Sequence, residues 1–559
     1  MSQFPEIDKK LSILRENQVK WLQTSFREKC NILEQIITNI KANQEEWISV
    51  ALRERKLDST EIGEEIGGGV MPTIRLCKLL LGVYKPAALA EKEGKPVTGT
   101  TFPQPSVYSG YMGRKIAQVF PVDFMEKALF AGVTAETWIQ EGKKPTQATE
   151  LLDAIKAGVG KVSLVLGAGN QSSILFMDAL YKLYNQGQVV MLKHNPVNDY
   201  LEPIVAKVFA PLIKRGFFQQ TKGGVDEGKY LVEQCDNIHI TGSDKTHDVI
   251  VYGSRDKATE EPQLQKEITS ELGCVSPVIV VPGPWSDAEL DYHVQTILGA
   301  TFQNASFNCN AAKMLVTHKN WHLRDKLLQK LREGFAAQKT RYAYYPGAKK
   351  RYDGFMEKYD QAEKCGNTES LPEGHLNWAL IPNIDENDDY AMSTEPFCGL
   401  LSECPLDAAG PDDFLRKATA FCNDKLWGNL SATILIHPHT SKKYVSAFED
   451  TVAELKYGSI GVNVWSALSY ALGSTVWGAF PGNEMKDIQS GRGFVHNTFM
   501  LDHPEKSVVR APFVLLMGAK MVYFPNFKNL APTYKALVEF EGSPSWMSAA
   551  YTLWNMLWG

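Results

Sequence analysis

The sequence predicts an α/β protein with two doubly wound domains in series. Short apolar runs, which are typical of buried parallel strands, begin near residue 160 and alternate with helical stretches. A second series with the same alternation follows and ends near residue 464. Because strands and helices alternate at this pace, we expect βαβ units that form largely parallel sheets.

The individual elements follow from the apolar pattern. Residues 8–55 are predicted to be helical because their apolar residues recur at helical spacing, and the Gly-rich stretch 64–72 predicts a break. The first domain is predicted to contain strands at 162–166, 189–192, 238–240, 249–251 and 278–281, with helices at about 173–185, 201–215 and 227–234. The second is predicted to contain helices at about 287–300, 321–337, 411–424 and 440–456, with strands at 314–317, 433–436 and 460–464.

Composition describes an ordinary globular protein. The 559 residues are 44% hydrophobic and 22% charged, which allows a large core. The net charge of −5 removes the strongest reason to expect a nucleic-acid partner. No apolar run approaches the roughly 18 residues that a membrane-spanning helix needs. The polar start does not resemble a secretory or transit peptide, and we expect a cytoplasmic protein.

Nine cysteines are scattered along the chain, and none forms a CxxC pair. This pattern predicts neither a zinc ribbon nor a thioredoxin-type site, and we expect no metal. It fits a reducing compartment, in which most thiols are small core residues. A special thiol must therefore be recognised by its surroundings.

Three segments carry residue types suited to covalent chemistry. Cys309 lies in a small, polar turn segment before a predicted strand, whereas a structural cysteine more often lies inside an apolar run. Glu271 stands just before the strand at 278–281. Asn170 follows a strand that runs into a Gly-containing turn, a geometry that supports phosphate binding at a helix start. Each signal is weak when taken alone.

Two further segments complete an ordered set. Lys193 ends the strand after Asn170, and Gly242 with Ser243 ends the next. In this order, followed by Glu271 in ELG-x-x-SP and Cys309 in N-x(4)-C-x-A, the segments resemble the aldehyde dehydrogenase superfamily.

The similarity runs from about residue 10 to about 505. Glu395 and Phe397 resemble the E-x-F-G-P cofactor motif of this superfamily, and residues 457–464 resemble its late G-x-x-x-V-N strand.

The resemblance implies a role for each residue. Cys309 would be the nucleophile, Asn170 would hold the developing oxyanion with the Cys309 backbone N–H, and Glu271 would activate the hydrolytic water. The cofactor residues would be Lys193 at the adenosine ribose, Gly242 and Ser243 at the diphosphate, Glu395 at the nicotinamide ribose and Phe397 beside the nicotinamide ring.

The cofactor follows from the same resemblance, but its choice stays open between NAD and NADP. Many NAD-preferring members carry a Glu shortly after the lysine, whereas here the run is Lys-His-Asn-Pro at 193–196. Without that acid, a 2′-phosphate would meet less repulsion. Other departures, such as Gly169 before Asn170 and Cys398 inside the E-x-F-G pattern, indicate a divergent branch.

The resemblance also predicts the domain organisation of the chain. It implies two Rossmann-like doubly wound domains, one cofactor-binding and one catalytic, plus a small bridging or oligomerisation element. We assign 1–281 to the N-terminal helices and the NAD(P)-binding domain, with a bridging insertion around 115–158. The catalytic domain would be 282–490, and 491–559 would hold an oligomerisation segment and an aromatic tail. The expected partners are a small aldehyde and further copies, in a homodimer or homotetramer that shares a sheet.

The role of the tail, 515–559, stays open. Its last stretch, 546–558, is aromatic and amphipathic. We favour a helix docked on the body or on a sister subunit, and an interfacial membrane anchor is the alternative. The stretch lacks the basic polar face that such anchors usually carry.

The leading functional hypothesis is NAD(P)-dependent oxidation of an aldehyde to a carboxylic acid through a thiohemiacetal and a thioester on Cys309. One rival is an acylating enzyme or acyl-CoA reductase, in which CoA resolves the thioester. Such members commonly lack the hydrolytic Glu, so Glu271 speaks against this rival. A non-catalytic protein that keeps the fold is a second rival. A Cys-His hydrolase is a third, and the sequence marks no His partner for Cys309.

Overall fold

The computed structural model describes residues 3–254, 261–366 and 370–559. Its strands are β1 Ser106–Ser109, β2 Lys115–Phe120, β3 Thr134–Ile139, β4 Val162–Leu166, β5 Val189–Lys193, β6 Phe218–Thr221, β7 Asn237–Thr241, β8 Ile268–Glu271, β9 Pro277–Val280, β10 Met314–His318, β11 Arg341–Tyr342, β12 Glu363–Cys365, β13 His375–Leu376, β14 Trp378–Ile381, β15 Leu400–Leu406, β16 Ser431–Leu435, β17 Ser459–Val462, β18 Val476–Gly478, β19 Gly491–Arg492, β20 Phe494–Asn497 and β21 Pro504–Arg510.

The α-helices are α1 Pro5–Gln23, α2 Phe26–Glu54, α3 Ile62–Glu65, α4 Met71–Lys92, α5 Phe124–Leu129, α6 Thr149–Ala157, α7 Ile174–Leu180, α8 Glu202–Val208, α9 Ala210–Lys214, α10 Val225–Gln234, α11 Asp244–Tyr252, α12 Asp287–Phe302, α13 Arg324–Ala337, α14 Ala348–Lys358, α15 Asp389–Ser393, α16 Pro411–Asp424, α17 Pro438–Lys443, α18 Val445–Glu454, α19 Ala467–Leu472, α20 Leu530–Gly542 and α21 Trp546–Leu557. Shorter 3-10 turns are Ser59–Glu61, Gly99–Thr101, Tyr111–Gly113, Asp199–Leu201, Gln303–Ser306 and Leu516–Gly518, and Ile66–Val70 and Tyr181–Asn185 are π-helical.

The first domain is built on a six-stranded sheet of order β19-β8-β7-β4-β5-β6. Strands β4 to β8 run parallel, and β19 pairs with β8 antiparallel. The sequence predicts β4, β5 and β7 but not β6 and β8. The predicted strand at 249–251 is wrong, because these residues lie in α11. Ser243 starts that helix by accepting a hydrogen bond from the backbone N–H of Thr246.

The second domain is built on an eleven-stranded sheet of order β1-β2-β3-β21-β17-β16-β9-β10-β15-β14-β12. Strands β9, β10, β14, β15, β16, β17 and β21 run parallel to their neighbours within this set. The doubly wound α/β class is therefore confirmed for both domains. Strand β9 belongs to this sheet, so the chain passes between the sheets after β8. The domain bounds themselves stay a prediction.

The predicted bridging insertion supplies β2 and β3, and these strands complete the large sheet within one chain. β3 pairs antiparallel with β21, which in turn pairs parallel with β17. The edge of β17 is therefore covered by the chain itself. The terminal strands of this sheet are β1 and β12, and all four residues of β1 are exposed.

The Gly-rich stretch 64–72 is helical, so the predicted break is wrong. α3, the π-helical turn and α4 follow one another without a gap. The glycines serve close packing: a Cβ on Gly67 would lie 2.5 Å from Cζ of Tyr534 on α20. The helical span Ser59–Lys92 has the length and mean hydropathy, 1.4, of a membrane-crossing helix, although 72% of its apolar window is buried inside the protein.

The tail forms two helices that pack on each other. α20 is anchored by a buried cluster in which Glu541 accepts from Arg75 (2.5 Å) and pairs with Lys78 (3.0 Å). α21 buries Ala549, Thr552 and Asn555 along one face. Trp546 and Trp554 on this helix, and Trp558 directly after it, are more than half exposed.

Candidate functional site

Two cavities meet at the junction of the two sheets. A groove of about 1270 Å³ runs along the carboxyl ends of β4, β5 and β7, the usual ligand position in doubly wound sheets. On the same measure, a second pocket on the catalytic side has about 110 Å³. Asn170, Glu271 and Cys309 line both cavities. The structure therefore brings the three predicted catalytic residues together where the cavities join.

Cys309 follows a turn with unusual backbone geometry. Three consecutive residues before it, Asn304, Ala305 and Ser306, have positive φ angles of 54°, 51° and 69°. Side chains disfavour this left-handed region, and each such residue costs on the order of 1 kcal/mol or more. A run of three persists only where neighbouring groups hold it.

Buried polar side chains hold this turn. Arg55 donates to the Asn304 side chain and, over 2.9 Å, to the hydroxyl of Tyr344. Lys313 donates to the carbonyl and hydroxyl oxygens of Ser306, over 2.9 and 3.0 Å. Arg55 and Lys313 are 3% and 1% exposed, so both charges are inside the protein.

Asn304 links this turn to the predicted oxyanion residue. Its Nδ2 donates to the backbone carbonyls of Asn170 and Phe307, both over 3.0 Å. Asn170 donates through its own Nδ2 to the Phe307 carbonyl, also over 3.0 Å. The loops that carry Asn170 and Cys309 are thereby joined. A carboxamide nitrogen has two N–H donors, and the bond to Phe307 uses one of them.

We predict that Arg55 is a positioning residue for this turn. Arg55 also pairs with Glu65 at 2.6 Å, and removing one partner of a buried pair costs about 3–5 kcal/mol. We expect Arg55→Met to lower both the melting temperature and, by about 10- to 100-fold, kcat.

The double variant Arg55→Met/Glu65→Gln separates these two effects. It removes both charges and should recover much of the stability while kcat stays low, because Asn304 still lacks its donor. Thermal unfolding and steady-state kinetics check this prediction. Full recovery of kcat with stability would contradict it.

Glu271 and Cys309 form an interacting acid–thiol pair. Burial above all raises the pKa of Glu271 to about 8, and the thiol and the Trp477 side chain, both in contact with the carboxyl, oppose the rise. Burial, together with the adjacent Glu271 carboxylate, raises the pKa of Cys309 well above its ordinary value. Near neutral pH the pair is therefore protonated, and its first ionisation reflects both groups.

Cys309 is also the most accessible cysteine of the chain. Its side chain is partly exposed to the two cavities, whereas the other eight cysteines are buried. We expect iodoacetamide to modify Cys309 first, at a rate that rises with pH because only the thiolate reacts. Peptide mass spectrometry over time checks this order. Faster labelling of another cysteine in the folded protein would contradict it.

The predicted cofactor residues all line the large groove: Lys193, Gly242, Ser243, Glu395 and Phe397. Lys193 ends β5, and burial lowers its pKa. Glu395 is partly buried. Its Oε1 is buried without a hydrogen-bond partner among the described residues, so an acceptor is available for a ligand hydroxyl.

The surroundings of Glu395 support a built ligand site. Burial raises its pKa to about 7, and the cation of Lys313 opposes the rise. A Cβ on Gly273 would collide with the Glu395 carboxylate, so this approach requires glycine. Glu395 can accept hydrogen bonds from ribose hydroxyls, and Lys193 lies at the carboxyl end of β5. Both residues therefore fit a nicotinamide dinucleotide in the groove.

Sequence reasoning missed several residues around the site. Trp477 and Tyr470 line the small pocket, and Arg55 and Lys313 hold the turn before Cys309. No short-range pattern marks them, because their partners are distant in the chain. Among the described residues, no group of three or more His, Cys, Asp or Glu side chains is arranged to hold a metal.

Part of the chain is similar to a known protein family. The aldehyde dehydrogenase family model matches residues 131–345. Among curated proteins, aldehyde dehydrogenase family 3 member A2 of Macaca fascicularis is 24% identical over 233 residues. The matched stretch is 41% of this chain and 44% of the macaque protein, so the chain matches less than half of that relative.

Solved structures share the fold over most of the chain. Lactaldehyde dehydrogenase from Escherichia coli has a TM-score of 0.60 at 15% identity, covering 91% of both chains. Glyceraldehyde-3-phosphate dehydrogenase from Methanocaldococcus jannaschii, complexed with NADP, has a TM-score of 0.57 at 15% identity, covering 91% of this chain and 94% of that one. At this identity the similarity establishes the fold.

Proposed function

Because the chain belongs to the aldehyde dehydrogenase superfamily, we propose that it oxidises an aldehyde to a carboxylic acid with NAD or NADP. The observation that supports this most is the position of Cys309, Glu271 and Asn170 at the junction of the groove and the small pocket. A thiol, an acid and an amide at one point suffice for oxidation through an acyl-enzyme.

Cys309 begins the reaction. When Glu271 is ionised, the thiol transfers its proton to this carboxylate, and the sulfur attacks the aldehyde carbon to form a thiohemiacetal. The interaction between the two side chains supports direct transfer. An N–H of Asn170 and the backbone N–H of Cys309 stabilise the oxyanion, and one such donor contributes about 3 kcal/mol in the transition state.

The second half-reaction resolves the intermediate. A nicotinamide cofactor held by Lys193, Ser243 and Glu395 would supply the hydride acceptor, and loss of the hydride from the thiohemiacetal would leave a thioester on Cys309. Glu271 releases the thiol proton to solvent and then removes a proton from water, and the hydroxide equivalent displaces the thiolate to release a carboxylic acid. Glu271 lines the small pocket as well as the groove, so water can reach it from either side.

The groove carries cations suited to either cofactor. Lys193 and Lys229 both line it, near the strand end where an adenosine ribose would lie. Lys193 also lies near Glu227, which raises its pKa against the effect of burial. Two lysines can attract a 2′-phosphate, and Glu227 is a candidate acceptor for a 2′-hydroxyl. Parallel titrations with NAD and NADP decide between them.

A dimer that extends the large sheet between subunits must use one of the terminal strands of that sheet. β21 already covers β17, so an assembly that extends the large sheet would use β1 or β12. We propose β1 for a dimer, because its four residues are exposed.

Product analysis tests the proposal. Purified protein, an aldehyde panel and either cofactor should yield one carboxylic acid for each reduced cofactor, with no requirement for CoA. An acyl-CoA product that forms only when CoA is added would favour the acylating rival. A folded protein that shows no cofactor binding would favour a non-catalytic role.

A further inference from the structure

The small pocket beside Cys309 receives part of its wall from the tail. Val522, Tyr523 and Tyr534 line it, and all three lie beyond residue 505, where the similarity noted in the sequence ends. Gly67 and Gly68 of the π-helical turn also line it. Two segments outside the matched region 131–345 therefore bound the space next to the nucleophile.

Contacts connect the tail to the reacting residue. The hydroxyl of Tyr523 accepts from the backbone N–H of Trp465 at 3.1 Å, and the Trp465 indole donates to the carbonyl of Asn310 at 2.8 Å. Asn310 directly follows Cys309. On the other side, Gln171 donates to the Asn308 side chain at 2.7 Å and lines the same pocket.

The wall of the small pocket carries almost no charged side chains. Among the described residues that line it, Glu271 is the only charged one. Two tryptophans, three tyrosines and six aliphatic residues supply more than half of the lining residues, among them Trp465, Trp477, Tyr470, Leu468 and Val495. An anionic substrate group would meet no cation here and would lie near the Glu271 carboxyl, which repels it when ionised.

The tail is held firmly enough to shape this wall. Tyr534 is packed against Gly67, where a Cβ would lie 2.5 Å from the ring. The other end of α20 is fixed by Glu541, paired with Arg75 and Lys78 inside the protein. These anchors leave the Tyr534 ring little freedom to move away from the pocket.

We propose that the tail, through Tyr534 and Val522, limits the substrate pocket, and that the pocket selects uncharged aldehydes with an apolar or aromatic body. This inference rests on the proposed function for its kinetic consequences. The small free volume predicts that Tyr534 restricts the length or bulk of the aldehyde.

Kinetics with a substrate panel test the inference. Neutral benzaldehyde and hexanal should have kcat/KM at least about 10-fold above that of succinic semialdehyde or glyceraldehyde 3-phosphate. Tyr534→Ala should raise the ratio of kcat/KM for decanal over hexanal by about 10-fold, and Val522→Ala should shift it in the same direction. Tyr551→Ala, an exposed tyrosine on α21 outside the pocket, is the matched control and should keep the wild-type ratio.

A second pair of variants tests the contact itself. Gly67→Ala should force the Tyr534 ring aside and lower kcat/KM for every neutral aldehyde. The double variant Gly67→Ala/Tyr534→Ala should recover activity toward decanal, because the added methyl then has room. Thermal unfolding of each variant shows that the fold is kept.

A binding measurement separates this inference from the proposed function. Hexanamide and benzamide, which are uncharged and unreactive, should quench tryptophan fluorescence in wild type, and Tyr534→Ala should change their Kd at least about 3-fold. If the amides bind as expected but no aldehyde is oxidised, the proposed function is wrong and the inference about the pocket is still supported. Preference for anionic aldehydes, or ratios and Kd values that Tyr534→Ala leaves unchanged, would overturn the inference.

Discussion

Replacement of Cys309 with alanine is expected to reduce aldehyde-dependent formation of reduced cofactor by at least about 10⁴-fold. The sulfur forms the covalent bond through which the substrate loses its hydride, and neither Glu271 nor Asn170 can substitute for it. Cofactor affinity should stay within about 3-fold of wild type, because Lys193, Gly242 and Glu395 in the groove are unchanged. Stopped assays of NADH and NADPH formation, with fluorescence titration of the cofactor, measure both quantities.

A second cysteine gives the matched control for this prediction. Cys30 lies on α2, is buried and lines neither cavity. Cys30→Ala should keep kcat close to wild type. Turnover by the Cys309 variant at more than about one hundredth of the wild-type rate would contradict a covalent role for this thiol.

Replacement of Glu271 with glutamine is expected to slow steady-state turnover by about 10²- to 10⁴-fold. The amide has nearly the same shape but accepts a proton neither from the thiol nor from water. Attack by Cys309 is slowed, but the thiol can still lose its proton to solvent, whereas hydrolysis has no base, so the thioester accumulates. In wild type the rate should rise as pH passes about 8, because Glu271 must lose its proton to act as a base. The variant should lose that rise. Rate profiles between pH 6 and 10 check the prediction, and an unchanged profile would contradict it.

The same substitution should increase stability at high pH. A raised pKa means that the fold favours the protonated carboxyl, so its contribution to the free energy of unfolding is complete below the ordinary glutamate value. That contribution falls as pH rises through about 8, where the buried carboxyl ionises. Glutamine does not ionise, so Glu271→Gln should melt higher than wild type at pH 9 and close to it at pH 5. A matched control is Glu539→Gln, at an exposed position on α20.

The parallel sheets were predictable because their strands are buried on both faces. Runs such as β4, β5 and β9 are mostly apolar in the sequence and lie within the two sheets. The run at 249–251 has the same composition but lies in α11, where only part of it is buried. A short apolar run does not by itself distinguish a strand from a buried helix.

The catalytic trio was predictable only from its order along the chain. Cys309, Glu271 and Asn170 come together at the junction, but their separate signals are weak. Arg55 and Lys313 were missed because their function depends on contacts with Asn304 and Ser306 in three dimensions. The Gly-rich turn was read as a break because nothing local shows that Tyr534, more than 450 residues away, packs against it.

Covalent trapping most directly tests the claim that Cys309 carries the substrate as a thioester. The Glu271→Gln protein is mixed with an aldehyde and cofactor, quenched in acid, digested and examined by mass spectrometry. We expect the acyl group of the aldehyde as a thioester on the peptide that contains Cys309, in an amount equal to the first turnover of reduced cofactor. Reduced cofactor without any acyl peptide, or an acyl group on another cysteine such as Cys274, would contradict it.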